Sequence, residues 1–468
     1  MIDNSVICAL ATSQVASAIS LIRISGEDSF KVVNKIIKFK NKDKKFNKID
    51  GFTIHRADIY DNKILIDDAL ISVFKKPYSY TGENMIEISC HGSTYIQQKF
   101  LELLTKNGAR LANAGEFTLR AFINGKIDLS QAEAIADLIS STNTASHDIA
   151  INHLRGGFKN ELSVLREKLL NLASLIELEL DFSEEDVEFA DRKNLLQIIN
   201  ELITKVSYLK NSFELGNAIK NGILITIAGN TNVGKSTLLN AILNEEKAIV
   251  SNIHGTTRDV IEDIIVYNGI NFRFADTAGI RASKDKIEKI GISRSLAQIK
   301  RAKVILLMVD TLTPQKQIEK IYKSVFSKLT SSQSIILLLN KSDLCKLNEK
   351  ISLENFCKKL IKPTDSFITI SAKKKINIGI ILKEIYKKVV KTHILSDNVI
   401  ITNTRHFEAL SKAEETLNQI KIGMKNNIQS DLLVQDLKEA LYYIGNITGE
   451  ITNNEILNNI FKNFCIGK

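Results

Sequence analysis

The residues best suited to chemistry lie near the middle of the chain, in Gly229-Asn230-Thr231-Asn232-Val233-Gly234-Lys235-Ser236. This run has the spacing G-x-x-x-x-G-K-[ST] of a phosphate-binding loop. Its glycines let backbone N–H groups wrap an anion, and a helix N-terminus adds positive dipole. Lys235 is placed to reach β- and γ-phosphates, and Ser236 to hold Mg²⁺. The apolar, β-branched run Ile223–Ala228 ahead of the loop reads as a strand. The run Thr237–Leu243 behind it reads as a helix, so the motif has the flanks it needs.

Further signals follow in order. Gly255-Thr256-Thr257-Arg258-Asp259 offers a Thr hydroxyl to complete a Mg²⁺ shell when a γ-phosphate is present, which makes it a candidate switch. Ile264–Ala275 reads as a hairpin with an Asn268-Gly269 turn. Its second strand delivers Asp276-Thr277-Ala278-Gly279, an acid for Mg²⁺ through water and a Gly N–H for the γ-phosphate. Strand 334–339 ends in Asn340-Lys341-Ser342-Asp343, whose carboxylate can accept from guanine N1–H and N2–H, which adenine lacks. Strand 367–370 leads to Ser371-Ala372-Lys373, a backbone contact for guanine O6. Five such motifs in order, each in strand context, specify a GTPase domain with a mostly parallel sheet and helices on both faces. Ile280 stands where Ras-like enzymes place a water-orienting Gln, so either catalysis is poor or another group supplies that function. Asn232 is a candidate ligand for a monovalent cation that could supply that charge.

The elements around this domain set its context. Residues 1–122 mix strands (18–26, 69–74, 84–90), a turn at 80–83 and a helix at 95–106, an α+β pattern. Residues 123–221 turn helical. Ser130-Gln131-Ala132-Glu133 reads as a capping box, and Leu162, Leu165, Leu169, Leu172 and Ile176 recur at helical spacing. The acidic run 177–188 reads as a solvated face, and 197–213 as another helix. Helical pattern resumes from about 405 to the end, so 389–468 reads as the second part of a discontinuous helical domain into which the nucleotide domain, 222–388, is inserted. The expected class is therefore multidomain α/β.

The chain of 468 residues carries a net charge of +10, which suits an anionic partner such as RNA, although a Lys- and Ile-rich composition alone could produce it. Five scattered cysteines give neither a disulfide framework nor zinc spacing and fit a reducing cytoplasm. No apolar run reaches the roughly 18 residues of a membrane span, and the N-terminus lacks the marks of a signal or transit peptide.

The loop Gly229–Ser236, Gly255–Asp259 and Asp276-Thr277-Ala278-Gly279-Ile280-Arg281 resemble the GTPase domain of the MnmE (TrmE) family of bacterial and organellar tRNA-modification GTPases. Leu21–Gly26 and Gly115-Glu116-Phe117 to Lys126-Ile127-Asp128-Leu129 resemble the family's N-terminal folate-binding domain. Phe464-Cys465-Ile466-Gly467-Lys468 is similar to its ending. The segment Ser13–Ser17 departs from a Gly-rich stretch common there, and Ser251 replaces a frequent Thr.

The resemblance implies GTP contacts from Asn232, Val233, Gly234, Lys235, Ser236 and Thr237, from Ser251, Asn252, Ile253, His254, Gly255, Thr256 and Thr257, and from Asp276, Thr277, Ala278 and Gly279. Asn340, Lys341, Asp343, Ser371, Ala372 and Lys373 complete the set. It implies Mg²⁺ on Ser236 and Thr257, and K⁺ on Asn232, Ser251, Ile253 and Thr256. Glu288 matches a catalytic Glu that orients water indirectly, its alternative being an exposed helix charge. Arg23, Glu87, Lys126 and Lys468 match contacts to a tetrahydrofolate derivative; for Arg23 and Glu87 a strand-end ion pair is the alternative. Cys465 matches a Cys implicated in the modification, or is a free thiol. The resemblance further implies a homodimer and a heterotetramer with the flavoprotein MnmG (GidA), which brings FAD and NADH. That assembly builds a (carboxymethyl)aminomethyl group at C5 of the wobble uridine of certain tRNAs. A regulatory switch in ribosome assembly is the competing class, because the GTPase motifs are common to both.

Overall fold

The computed structural model describes residues 4–41, 43–181, 192–244, 249–250, 263–275, 299–330, 333–389, 399–426, 428–451, 457, 460–462, 464 and 467. These form two compact units, one of Met1–Ser140, Ile151–Leu202 and Lys412–Lys468, the other of Ser141–Ala150 and Ile203–Ser411.

In the first unit, strands β1 (Val6–Leu10), β2 (Ile19–Ser25), β3 (Ile37–Phe39), β4 (Thr53–Asp61), β5 (Ile64–Phe74), β6 (Met85–His91) and β7 (Ala109–Leu111) form one sheet. The order is β3-β4-β5-β6-β2-β1-β7, antiparallel except for the parallel β1–β7 edge. Period-two alternation decides which residues are inside. Cys8, Ile22, Ile24, Ile71, Val73, Ile86 and Ile88 line one face and bury against Val32 and Val33 of α1 (Ser29–Asn34) and Phe100, Leu103 and Leu104 of α2 (Thr94–Lys106). The intervening residues, Arg23 and Glu87 among them, project from the opposite face, where Ile7 and Ala9 pack with Phe117 of α3 (Glu116–Ile123).

Helices α4 (Leu129–Ser140) and α6 (Gly157–Asp181) belong to the same unit, whereas α5 (Thr144–Leu154) straddles the boundary and α7 (Arg192–Asn211) crosses it. On α6, Leu162, Leu165, Leu169, Leu172 and Ile176 are all buried, the stripe expected from their spacing. The capping box differs from the expectation at Ser130–Glu133. Helix α4 starts two residues earlier: Asp128 Oδ1 accepts from the Gln131 N–H at 2.8 Å, and Gln131 Oε1 accepts from the Asp128 N–H at 3.0 Å. Asp prevails because its carboxylate caps the helix in the same way and leaves Ser130 free to be buried in the first turn, donating to Asp128 at 2.7 Å.

The second unit centres on the sheet order β14-β13-β12-β8-β11-β10-β9. Its strands are β8 (Ile223–Gly229), β9 (Ile249–Val250), β10 (Asp263–Tyr267), β11 (Ile270–Phe274), β12 (Val304–Asp310), β13 (Ser334–Asn340) and β14 (Ser366–Thr369). Strands β8 and β11–β14 are parallel, and β10 returns antiparallel. Asn268 and Gly269, at φ 48° and 77°, supply the two positive angles of the turn that joins β10 to β11. The runs VILLMVD and SIILLLN carry no polar face because both faces are covered. Leu306, Met308, Ile336 and Leu338 bury against α8 (Phe213–Asn221), α9 (Lys235–Leu243) and α12 (Ile378–Val389). Ile305, Leu307, Ile335 and Leu337 bury against α10 (Gln315–Phe326) and α11 (Leu347–Leu360). Helix α13 (Thr404–Lys425) follows, and α14 (Ser430–Thr448) packs on α6 in the first unit.

Candidate nucleotide-binding site

The parallel strands of the second unit deliver their C-terminal ends to one edge, where open α/β sheets bind ligands. Gly229 ends β8 at φ 149°, and a Cβ there would lie 2.3 Å from the Met308 carbonyl oxygen, so only glycine fits. Asn232 takes the left-handed conformation at φ 61°, and Gly234 caps α9 at φ 98°. These angles turn the loop back so that α9 starts under it. Ser236 and Thr237 are exposed in the first turn of α9, and Val233 is buried. Lys235 Nζ donates to the carbonyls of Gly229 and Asn230 at 2.8 and 2.7 Å. Burial pushes its ammonium below the usual lysine range, which favours exchange of those neutral carbonyls for a phosphate anion.

Asn340, at the end of β13, joins three motifs. Its Nδ2 donates to the Val233 carbonyl at 2.8 Å, and its Oδ1 accepts from the Ala372 N–H at 3.0 Å. The residue is 3 % exposed, so both bonds are sheltered from water. The phosphate loop and the Ser371–Lys373 turn are thereby held at fixed separation. Lys341 sits at φ 65°, swings the chain outward, and pairs with Asp310 Oδ2 at 2.5 Å. Its carbonyl accepts from Thr311 Oγ1 at 3.1 Å. Ser371 Oγ donates to Asp343 Oδ1 at 2.5 Å, and this bond holds the Asp343 carboxyl below the usual carboxylate range. Asp343 is exposed beside the turn and remains ionised, as an acceptor of two guanine N–H groups must be. Ser371 and Ala372 are buried, and Lys373 is exposed.

Asp310 and Thr311 escaped the sequence reading. An acid ending an apolar strand was their only signal, and its partner Lys341 lies on a different strand end.

Ser251, Asn252, Ile253, His254, Gly255, Thr256, Thr257, Asp276, Thr277, Ala278, Gly279, Glu288, Cys465 and Lys468 lie outside the described residues.

A second constellation lies in the first unit. Arg23 and Glu87 are directly opposite across β2 and β6, and Arg23 Nε and Nη2 both donate to Glu87 Oε1, at 2.9 and 2.7 Å. The strand ion pair therefore exists. It also has surroundings that a bare strand pair lacks. The guanidinium lies 5.3 Å from the Tyr80 ring centre and 5.7 Å from that of Phe117, and Arg23 Nη1 donates to the Gly467 carbonyl at 3.2 Å. Gly467, at φ 94°, approaches so closely that a Cβ would lie 2.4 Å from the Leu10 carbonyl oxygen. Lys126 Nζ donates to the Pro77 carbonyl at 2.9 Å, and no contact joins it to Arg23 or Glu87 among the described residues. Tyr80, Phe117 and Gly467 were not read from sequence as neighbours of Arg23. They come from three remote segments, which no local pattern connects.

The chain matches two family models: the GTP-binding protein TrmE N-terminus over residues 6–126 and the MnmE helical domain over residues 129–465. It is 50 % identical over 471 residues to a tRNA modification GTPase MnmE of Flavobacterium johnsoniae, with all of both chains covered. It is 46 % identical to one of Bacteroides thetaiotaomicron, again with both covered in full. A third, from Flavobacterium psychrophilum, is 48 % identical over 475 residues with the same complete coverage. With the phosphate loop and the Ser371–Lys373 turn joined through Asn340, and with similarity running from end to end, the chain belongs to the MnmE family of tRNA modification GTPases.

Proposed function

We propose that the chain hydrolyses GTP, with Mg²⁺, in the course of tRNA modification. More finely, it acts as a K⁺-activated GTPase with a flavoprotein of the MnmG type, which brings FAD and NADH. Together they form a (carboxymethyl)aminomethyl group at C5 of the wobble uridine with a tetrahydrofolate one-carbon unit. The observation that carries the guanine-nucleotide reading is Asn340, which links the phosphate loop to the Ser371–Ala372 turn beside an ionised Asp343. Ser236 fits Mg²⁺ as an exposed hydroxyl in the first turn of α9, with Thr257 as its proposed companion. Asn232 fits K⁺ as an exposed carboxamide in the phosphate loop, with Ser251, Ile253 and Thr256 completing the proposed shell. When bound, the cations neutralise phosphate charge that builds during hydrolysis. The chain's own part is to hold the loop open at φ 61° and 98°, to present Lys235, and to read the base through Asp343. Glu288 is proposed to orient water.

Arg23, Glu87, Lys126 and Lys468 are proposed to bind the folate, with Cys465 near the modification chemistry. A charged pair flanked by the rings of Tyr80 and Phe117 suits a flat heteroaromatic that bears carboxylates. A cytoplasmic homodimer that assembles with the flavoprotein as a heterotetramer completes the reading.

The test is GTP hydrolysis in KCl and in NaCl at equal ionic strength, with wobble nucleosides analysed in cells that lack the chain. We expect strong K⁺ stimulation, lost in Asn232→Ala, and loss of the modified nucleoside. Equal rates in both salts would remove the cation from the mechanism. Intact wobble modification with defective ribosomal subunits would assign the chain to ribosome assembly instead.

A further inference from the structure

Residues 311–389 contain sixteen lysines, no arginine and six acidic residues, a net charge of +10. The rest of the chain, with 47 basic and 47 acidic residues, is neutral. A bias in base composition would spread lysine without regard to the fold. Here the entire net charge falls within the second half of the nucleotide-binding unit, and the fold concentrates part of it further.

Helices α10, α11 and α12 end at the edge of the sheet where β13 and β14 begin, opposite the nucleotide edge. The loop 361–365 ties these ends together. The Lys362 N–H donates to Tyr322 Oη of α10 at 3.2 Å, and Lys362 Nζ lies 3.8 Å from the Phe326 ring centre. Lys388 Nζ of α12 donates to the Thr364 carbonyl at 2.5 Å. Asp365, the acid of this loop, is buried and turned inward, accepting from Tyr322 Oη at 2.5 Å and from the Ile335 N–H at 2.9 Å. Lys358 and Lys359 occupy the last turn of α11, just before the loop, and Lys328 follows α10. Among the described residues, none of Lys328, Lys358, Lys359 and Lys362 has a carboxylate within ion-pair distance, and all four are exposed, whereas Lys388 is half-buried and feels the charges of Asp365 and Glu384. Two further lysines near this edge are neutralised locally, Lys323 by Glu319 at 2.6 Å and Lys387 by Glu384 at 2.8 Å. Cations in a last helical turn do gain from the helix dipole, but that small local effect does not explain a gathering of three helix ends.

The geometry points to an RNA-backbone binding surface at this pole, formed by Lys328, Lys358, Lys359 and Lys362. Lysines are flexible point charges without the planar fork that reads base edges, so the surface suits phosphates and confers affinity rather than sequence choice. It lies at the opposite edge from the nucleotide, so RNA and GTP need not compete for it. The choice of RNA among polyanions rests on the tRNA reading above.

The test uses the full-length chain and a labelled, unmodified transcript of a tRNA with uridine at the wobble position. Binding is followed by anisotropy across a salt series. The variant with Lys358→Gln, Lys359→Gln and Lys362→Gln together is expected to bind about 10-fold or more weakly at low salt. Its slope of log affinity against log salt should be shallower by about 2–3, one counterion per lost contact. GTP hydrolysis stays at the unaltered rate. The same three positions changed to Arg keep the affinity, which separates charge from folding. Changing Lys44, Lys45 and Lys48 to Gln, in the other lysine-rich stretch, leaves binding intact. An unchanged salt slope in the first variant, or an equal loss in the Lys44 set, overturns the proposal. Binding to phosphatidylglycerol vesicles that depends on the three lysines, with RNA binding unaffected, overturns it in favour of a membrane surface. RNA binding through the pole with normal wobble modification in cells lacking the chain would sink the functional reading and leave the surface standing.

Discussion

At the scale of single residues, the nucleotide edge depends on small polar side chains that hold one another in place. The proposed guanine contact of Asp343 requires an ionised carboxylate, and the Ser371 hydroxyl keeps that carboxyl below the ordinary range. A carboxyl held low remains charged as pH falls, until the pH passes its lowered value. Ser371→Ala removes that bond, so the carboxyl moves up toward the ordinary carboxylate value of about 3.9. We expect binding of a fluorescent guanine nucleotide to fail at higher pH in the variant than in the unaltered chain. Titrations between neutral pH and about pH 4 would measure this, and superimposable profiles would remove Ser371 from the account. Asn340 works differently. It need not touch a ligand to matter, because its two amide ends set the distance between phosphate loop and guanine turn.

Among the elements, helix starts carry much of the local definition. The α4 cap is reciprocal between Asp128 and Gln131, and Asp128 also lies 3.7 Å from Lys159. Asp128→Ala leaves N–H groups of the first turn without their cap and should cost about 1 kcal/mol. Thermal unfolding would register it, whereas Glu133→Ala should leave the cap itself untouched. A larger loss for Glu133→Ala through exposure of first-turn N–H groups would restore the capping box at Ser130–Glu133. The α9 start obeys another rule. Gly234 is there because φ is 98° and because a Cβ would lie 2.7 Å from Asn340 Nδ2, so the loop and the residue that clamps it are fitted to each other.

At the scale of the whole molecule, each unit has its own means of holding charge inside. In the first unit Arg120 is 2 % exposed and joins Glu83 at 2.9 Å, Glu116 at 3.2 Å and the Ser5 carbonyl at 2.9 Å. Burial by itself would raise the Glu116 carboxyl. The Arg110 hydrogen bond, the Asn113 N–H and the nearby guanidinium charges outweigh it and hold the carboxyl below its usual value. A lowered carboxylate contributes stability above its unfolded value, and that contribution is lost as pH falls through the folded one. Arg120→Met removes the guanidinium shared by Glu83 and Glu116, leaves Glu116 to Arg110 and the Asn113 N–H and Glu83 to Ser25, and should cost at most about 3 kcal/mol near neutral pH. The deficit should narrow in acid, where those carboxylates take up protons. Equal deficits in urea unfolding at neutral and acidic pH would contradict a network held by charge.

The sequence alone determined the parts whose signals are local. Strand β8, the phosphate loop, the Asn268–Gly269 hairpin, the apolar strand β13 and the α6 stripe each follow from periodicity or turn chemistry within a few residues. The phosphate loop, Asn340–Asp343 and Ser371–Lys373 were legible for the same reason: each follows the end of its own strand. Tertiary structure alone decided what depends on residues far apart in the chain. It set Tyr80, Phe117 and Gly467 around Arg23, gave Asn340 its two partners, and turned Asp365 inward while Lys358, Lys359 and Lys362 face water. It also decided between two adjacent caps for α4, because Ser130 is buried in the folded helix. Composition showed how much positive charge the chain carries, but only folding could bring three helix ends to one edge of the sheet and leave Lys328, Lys358, Lys359 and Lys362 without a carboxylate partner among the described residues.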